Sequence, residues 1–309
     1  MAENEQFEPV RPFFQKQMNP VNICFAVNEQ YALPLRNVIY SLIKFADSTR
    51  CYDILVMTKG LSEKTMKLIT GPAENKDYVS VRFIEMAAYE NEYLAKVIPK
   101  QKYLTVETDY RLFMSTELFS GYERMLYLDC DTLVLADISK LFDEDLEGKV
   151  LGAVVEYSFR FWDYCKNPLF IDNEPYSIRS YCKNIVGVPS LEDYFNAGVL
   201  LIDTEQLRKI TSISEMVEVL SQKHFFMNDQ DVINHLVSGN FKHLDVGWNY
   251  LICYEYIKNY PNSELQTIFS DVYCDTPGIV HYVGAAKPWK DSKVTMKALY
   301  DKVVSEIDG

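Results

Sequence analysis

The chain has 309 residues, 48% of them hydrophobic, with 31 Lys and Arg against 44 Asp and Glu and a net charge of −13. This supports a large core in one large or two moderate domains; it disfavours nucleic acid, which requires clustered cations, and an anionic membrane surface. Cysteines 24, 51, 130, 165, 182, 253 and 274 show no CxxC spacing, which argues against a disulfide framework or structural zinc and fits a reducing cytosol.

Residues 1–20 carry no basic segment followed by an apolar stretch. The expectation is no leader peptide, a flexible arm over 1–20 and a single domain over 21–309. No apolar run approaches the ~20 residues that span a bilayer, so no integral membrane segment is expected. "NICFAV" (22–27) is a buried strand. Leu35, Val38, Ile39, Leu42 and Ile43 then follow the spacing of an amphipathic helix, with Pro34 in its first turn. "DILVMT" (53–58) is a strand, and a helix starts at Ser62, its cap, with Thr65 three residues on. "VSVRFIE" (79–85) is a third strand, and "TVETDYRLFMSTELF" (105–119) is assigned as a helix. This β-α-β-α-β order predicts a parallel, doubly wound sheet with helices on both faces. Further strands are "KVLGAVVE" (149–156), "AGVLLID" (197–203) and "GIVHYV" (278–283). Between 157 and 194 lies an aromatic, polar stretch without a clean period, expected to be a lid or binding loop. Its aromatic side chains suit stacking on sugar rings or on one another.

"RMLYLDCDTLVL" (124–135) places two carboxylates in an apolar strand, where a bare carboxylate is costly unless paired or metal-bound. In a strand, Asp129 and Asp131 share a side and Cys130 points away into packing. At the C-terminal edge of an open α/β sheet, where ligands bind, the pair would form a hard-oxygen site for Mg²⁺ or Mn²⁺. A solvent-facing turn would explain the same two residues. No GxGxxG follows the first strand, and GxxxxGK[ST], GxSxG and HExxH are absent, against dinucleotide, P-loop, serine-hydrolase and zincin chemistry.

Later stretches offer partners for the pair. "HYVGAAKPW" (281–289) supplies His281 as a borderline metal ligand, Gly284 for close backbone approach, and Lys287 as a cation for phosphate. "DYFNAGVLLID" (193–203) places Asn196 before Gly198. "MNDQDVINHL" (227–236) places Asn228 at a helix N-cap with Asp229, Gln230 and Asp231 in the first turn. Capping and the helix dipole are sufficient to explain Asp231.

Taken in order, "FAVNEQY", "YRL" (110–112), "LYLDCD", "LGAVVE", "YFNAGVLLID", "NDQD" and "HYVGAAKPW" resemble the glycosyltransferase family 8 enzymes over residues 22 to about 290. These are nucleotide-sugar transferases that include bacterial galactosyl- and glucosyltransferases and glycogenin. The resemblance implies a GT-A-type, Rossmann-like α/β fold with a mixed, mostly parallel central sheet flanked by helices. It implies a retaining, metal-dependent hexosyltransferase using UDP-glucose or UDP-galactose. Asp129, Asp131 and His281 would hold Mn²⁺ (or Mg²⁺), and Gly284 and Lys287 would contact the diphosphate. Asn28 and Tyr31 would hold the uridine, although Asn28-Glu29-Gln30 departs from the family's usual run. Arg111 would reach the diphosphate or the sugar, and Glu156, Asn196, Asp229 and Gln230 would line the sugar pocket. The implied donor site also takes in Ala26, Cys130 and Ala197, and the implied catalytic set is Asp229, Gln230 and Lys287.

Two further readings stay open at this point: a glycogenin-like self-glucosylating protein, which 22 tyrosines allow, and an inert UDP-sugar-binding module, against which the Asp129/Asp131/His281 set speaks. The ending "MKALYDKVVSEIDG" is short and mixed in charge, unlike a basic amphipathic membrane anchor. The expected acceptor is a carbohydrate, glycoprotein or glycolipid, with a soluble glycan or glycoprotein preferred. The expected location is the cytoplasm, with peripheral attachment at the inner face of the membrane left open.

Overall fold

A computed structural model describes residues 7–95, 105–223 and 225–308. The first three strands are β1 (Val21–Ala26), β2 (Tyr52–Thr58) and β3 (Val79–Glu85). They are followed by β4 (Arg124–Leu128), β5 (Thr132–Val134) and β6 (Leu151–Val155). Next come β7 (Leu169–Ile171), β8 (Glu174–Tyr176) and β9 (Phe195–Asp203). The last three are β10 (Lys242–His243), β11 (Tyr250–Leu251) and β12 (Ile279–His281). Seven form the central sheet in the order β10-β6-β9-β4-β1-β2-β3. β1 runs parallel to β2 and β4, and β2 to β3.

Alternation along β1 divides the interior. Ile23 and Phe25 join Leu35, Val38, Ile39 and Leu42 of the helix Ala32–Phe45 in one core, while Cys24 joins Tyr110, Phe113 and Tyr127 in the other. Every residue of β2 is buried, as expected of a strand covered on both faces. Each fully buried Leu or Ile of that helix contributes about 1.5–3 kcal/mol. Ser62 caps the helix Glu63–Thr70 by accepting from Thr65 N.

The sheet is mixed rather than parallel throughout, because β9 lies antiparallel between β4 and β6. The family resemblance implies such a mixed sheet; the strand-helix order alone did not, because period and burial look alike for either direction. The segment expected as a helix over 105–119 is 3₁₀ at Val106–Ser115 and again at Glu117–Phe119. Extended Thr116 breaks it and accepts from Leu118 N through its side chain. The stretch 157–194 is largely regular. The helix Tyr157–Tyr164 is followed by the β7–β8 hairpin. That hairpin turns at Asp172 and Asn173, both with positive φ (51° and 69°), the geometry that Asp and Asn favour in two-residue turns. Phe159 stacks on Tyr194 at 4.7 Å, so part of the aromatic content is packing.

A second sheet, β11-β12-β5, starts where the first ends: β5 follows β4 after three residues and pairs antiparallel with β12. Residues 1–6 of the expected arm lie outside the described residues. From Phe7 the chain packs on the body: Phe7 joins Tyr89, Tyr93 and Phe113, and Phe13 N donates to Asp53 Oδ2 at 3.0 Å. All seven cysteines are free thiols. Among the described residues no helix is long and apolar enough to cross a membrane.

Asp53, fully buried, also accepts from Arg82 at 2.8 Å and Tyr122 Oη at 3.0 Å. Removing one partner of such a pair strands the other. Asp53→Ala should lower the unfolding free energy by about 3 kcal/mol in urea titration and expose residues 7–14 to limited proteolysis.

Candidate active site

β1 and β4 are neighbours at the point where the chain's progress across the sheet reverses, the position at which open α/β sheets bind ligands. Asp129 and Asp131 sit just beyond β4, but in a turn rather than within a strand. Thr132 closes that turn, donating to Asp129 O through its backbone N (3.3 Å) and Oγ1 (2.8 Å). The two carboxylates therefore converge by turn geometry, not by strand alternation. Cys130 points away from them as expected; its Sγ lies 3.1 Å from Ala26 O and ties the turn to the end of β1.

The antiparallel β5–β12 pair carries His281 back over the turn. His281 Nε2 lies 3.1 Å from Asp131 Oδ1 and 3.8 Å from Asp129 Oδ2. One donor atom from each of the three residues falls within 4.8 Å of the others. A spacing near 3 Å matches the edge of an octahedron with bonds of about 2.1 Å, and two carboxylates with one imidazole suit Mn²⁺ or Mg²⁺. The donor set thus fits a divalent cation. Gly198 on β9 makes room for it: a Cβ there would lie 2.1 Å from His281 Cε1 and 2.9 Å from Asp129 Oδ2.

Two buried cations, Lys287 and Arg111, balance the acidic charge. Lys287, buried, pairs with Asp131 Oδ2 and donates to Tyr282 O at 2.7 Å. Burial disfavours a charged Asp131, but Lys287 and His281 hold its carboxyl well below the usual range. Arg111 pairs with Asp129 Oδ1 at 2.8 Å and Asp229 Oδ2 at 2.7 Å, and stacks 4.5 Å over the Tyr127 ring. The 3₁₀ turn aligns Arg111 with Thr108, whose carbonyl accepts from Nε at 3.1 Å.

The remaining expected site residues fall around this centre. Gln230 Oε1 accepts from Ala197 N at 3.0 Å, and its Nε2 donates to Tyr194 Oη at 3.1 Å. Glu156 accepts from Asn196 Nδ2 at 2.7 Å and from Ser158. Tyr31 meets Trp289 edge to face at 5.7 Å; burial, then the nearby Asp131, pushes its phenol up to about 12. Asn28 accepts from Gln30 N and Tyr31 N, while its Nδ2 donates to Thr105 and Glu107. Gly284 has φ +81° with open space beside it. Two expectations on the "NDQD" helix need correcting. Asn228, at φ 46°, makes no side-chain cap. Asp231 is fully buried and accepts from Tyr181 Oη, Tyr194 Oη and Met227 N, so it serves packing more than the helix dipole.

Asn249 and Asp109 were missed by the sequence reading. Asn249 Oδ1 lies 2.9 Å from His281 Nδ1. Asp109 is fully buried near Arg111 and Asp229, and neither of its oxygens accepts a hydrogen bond. Burial and the charge of Asp229 raise its carboxyl well above the usual range. Neither residue sits in a periodic or motif-like context that would have marked it.

Two outcomes follow from this geometry. Gly198→Ala forces a methyl into rigid neighbours and should cost about 3 kcal/mol in chemical denaturation. Burial pushes Asp229 up to about 7 against the pull of Arg111. The folded protein therefore keeps a proton that the unfolded chain releases above about pH 4, and stability falls as pH rises from there through about 7. Thermal melts from pH 5 to 8 should show this loss, and Asp229→Asn should flatten the slope.

The family model described as glycosyl transferase family 8 matches residues 22–293. General stress protein A of Bacillus subtilis is 26% identical over 280 residues, covering 88% of each chain. Among solved structures, the WbbM bifunctional glycosyltransferase superposes with a TM-score of 0.82 at 22% identity, over 96% of this chain and 51% of that one. The galactosyltransferase LgtC, in complex with donor and acceptor sugar analogues, gives a TM-score of 0.73 at 22% identity over 93% and 96%. The chain thus spans about half the length of WbbM, and it spans 58% of the matched GlyB of Streptococcus pneumoniae. The mixed α/β sheet is a GT-A fold, and with a family match over most of its length the chain belongs to glycosyl transferase family 8 and is a glycosyltransferase.

Proposed function

We propose that this chain is a retaining hexosyltransferase that moves glucose or galactose from a UDP-sugar to a glycan or glycoprotein acceptor, with Asp129, Asp131 and His281 holding Mn²⁺ or Mg²⁺. The observation that supports it most is the convergence of those three residues with buried Lys287 at the C-terminal ends of β1 and β4. A bound divalent ion would supply electrostatic stabilisation of the departing diphosphate.

The chain's own residues divide the remaining work. Lys287 adds a cation where phosphate charge develops, and Gly284 leaves its backbone open beside it. Tyr31 offers a ring for the uracil, with Asn28 at its edge and Ala26 and Cys130 below, joined to each other. Arg111, Glu156, Asn196, Ala197, Asp229 and Gln230 would line the hexose, held by the Arg111–Asp229 ion pair and by the hydrogen bonds of Asn196 to Glu156 and of Ala197 to Gln230.

Retention is proposed to arise by same-face attack, with the leaving phosphate taking the acceptor hydroxyl proton. The support is that each protein nucleophile in reach is already engaged. Gln230 is tied at both ends of its amide, Asp229 is paired with Arg111, and Glu156 is bonded to Asn196 and Ser158. A glycosylated Asp229 trapped with a slow donor analogue would refute this path.

UDP release measured over a panel of UDP-sugars should appear with UDP-glucose or UDP-galactose only when Mn²⁺ or Mg²⁺ is present. Asp131→Ala should lower that rate by about 10²-fold or more. Turnover that ignores the metal, or none with any UDP-sugar, would defeat the assignment.

A further inference from the structure

A metal-bound imidazole works only if the correct nitrogen presents its lone pair, and the partner of the other nitrogen decides which one that is. Around His281 this can be followed atom by atom. The backbone N–H of Gly198 donates to Asn196 Oδ1 at 2.9 Å. A backbone N–H can only donate, so that atom of Asn196 is its oxygen. Asn196 Nδ2 then faces the carboxylate of Glu156 at 2.7 Å. The same Asn196 oxygen accepts from Asn249 Nδ2 at 2.9 Å, which leaves Asn249 Oδ1 facing His281 Nδ1 at 2.9 Å. Nδ1 must therefore carry the proton, and Nε2 is the nitrogen turned towards Asp129 and Asp131.

Asn249 is fully buried, as is suitable for a fixed orienting group. It ends the 3₁₀ turn Val246–Asn249, which Asp245 caps through Gly247 N at 2.8 Å. Trp248 packs over Gly278, just ahead of β12: a Cβ on that glycine would lie 2.6 Å from the indole. The turn and the strand that carries His281 are thus held together independently of the polar chain.

We propose that Asn249 is a positioning residue that sets the tautomer and ring orientation of His281, and that the relay Glu156–Asn196–Asn249–His281 links the hexose wall to the metal-binding imidazole through its Nδ1. The inference rests on the metal reading above. It assigns a role to a residue that touches neither the sugar nor the ion.

The test needs no turnover. Mn²⁺ binding is measured by electron paramagnetic resonance without nucleotide for the wild type, Asn249→Leu and Asn249→Asp. Loss of an outer partner of a metal-bound histidine typically weakens binding by about 10–100-fold, so Asn249→Leu should raise the Mn²⁺ dissociation constant by about tenfold or more. Asn249→Asp keeps an acceptor for Nδ1–H and should stay closer to the wild type, even where melting shows it to be less stable. In cadmium-loaded wild-type protein, long-range ¹H–¹⁵N correlation of His281, identified by its loss in His281→Ala, should show a protonated Nδ1 and a metal-bound Nε2. Wild-type affinity in Asn249→Leu, equal loss in both variants, or metal on Nδ1 would each overturn the role of Asn249. Wild-type protein that binds no Mn²⁺ would overturn the metal reading as well.

Discussion

Two carboxylates packed against the ends of two buried strands create a charge problem that the surrounding side chains answer. Asp129 and Asp131 face each other across a turn, with Arg111 on one side and Lys287 on the other, both cations almost wholly buried. Buried ions are tolerated only when each is paired and hydrogen-bonded. Here each pairing fixes a different part of the chain. Arg111 draws in the 3₁₀ segment and Asp229 at the start of its helix, while Lys287 draws in the loop after β12. The site is thus assembled by mutual compensation among elements that are far apart in sequence.

That arrangement also explains which parts were legible in advance. The longer strands announce themselves as apolar runs buried on both faces, and the helix Ala32–Phe45 by its period of 3.6. The pair at 129 and 131 stands out because charge is rare in an apolar run. Strand alternation would bring them to one side, but the turn closed by Thr132 is what aims them together. What stayed hidden has no period. Asn249 is a single amide in "VGWNY", and its meaning comes only from its two partners at 196 and 281. The direction of β9 and the 3₁₀ form of 106–115 were hidden for a related reason. Both are set by tertiary partners, which local pattern does not encode.

The stretch 157–194 teaches the same point from the other side. Its lack of a clean period suggested a loop, yet it contains a helix, a hairpin and further helical turns. Short elements of three to eight residues do not run long enough to display a period. The Asp172-Asn173 pair was the local signal available, since both residues tolerate the left-handed backbone that the hairpin turn requires.

The hand-over from β4 to β5 has a mechanical side. Asp129 opens the three-residue turn by which the chain leaves β4 of the large sheet for β5 of the small one, whereas His281 lies on β12 of the small sheet. An ion gripped by both would add a clasp to the Asn196–Asn249 hydrogen bond that already joins the two sheets. The small sheet's own core includes Tyr300 and Val303 of the C-terminal helix. Tyr300 in turn accepts from Asn37 in the first helix of the chain. The small sheet that carries His281 is thus packed and hydrogen-bonded to helices from both the first and the last part of the chain.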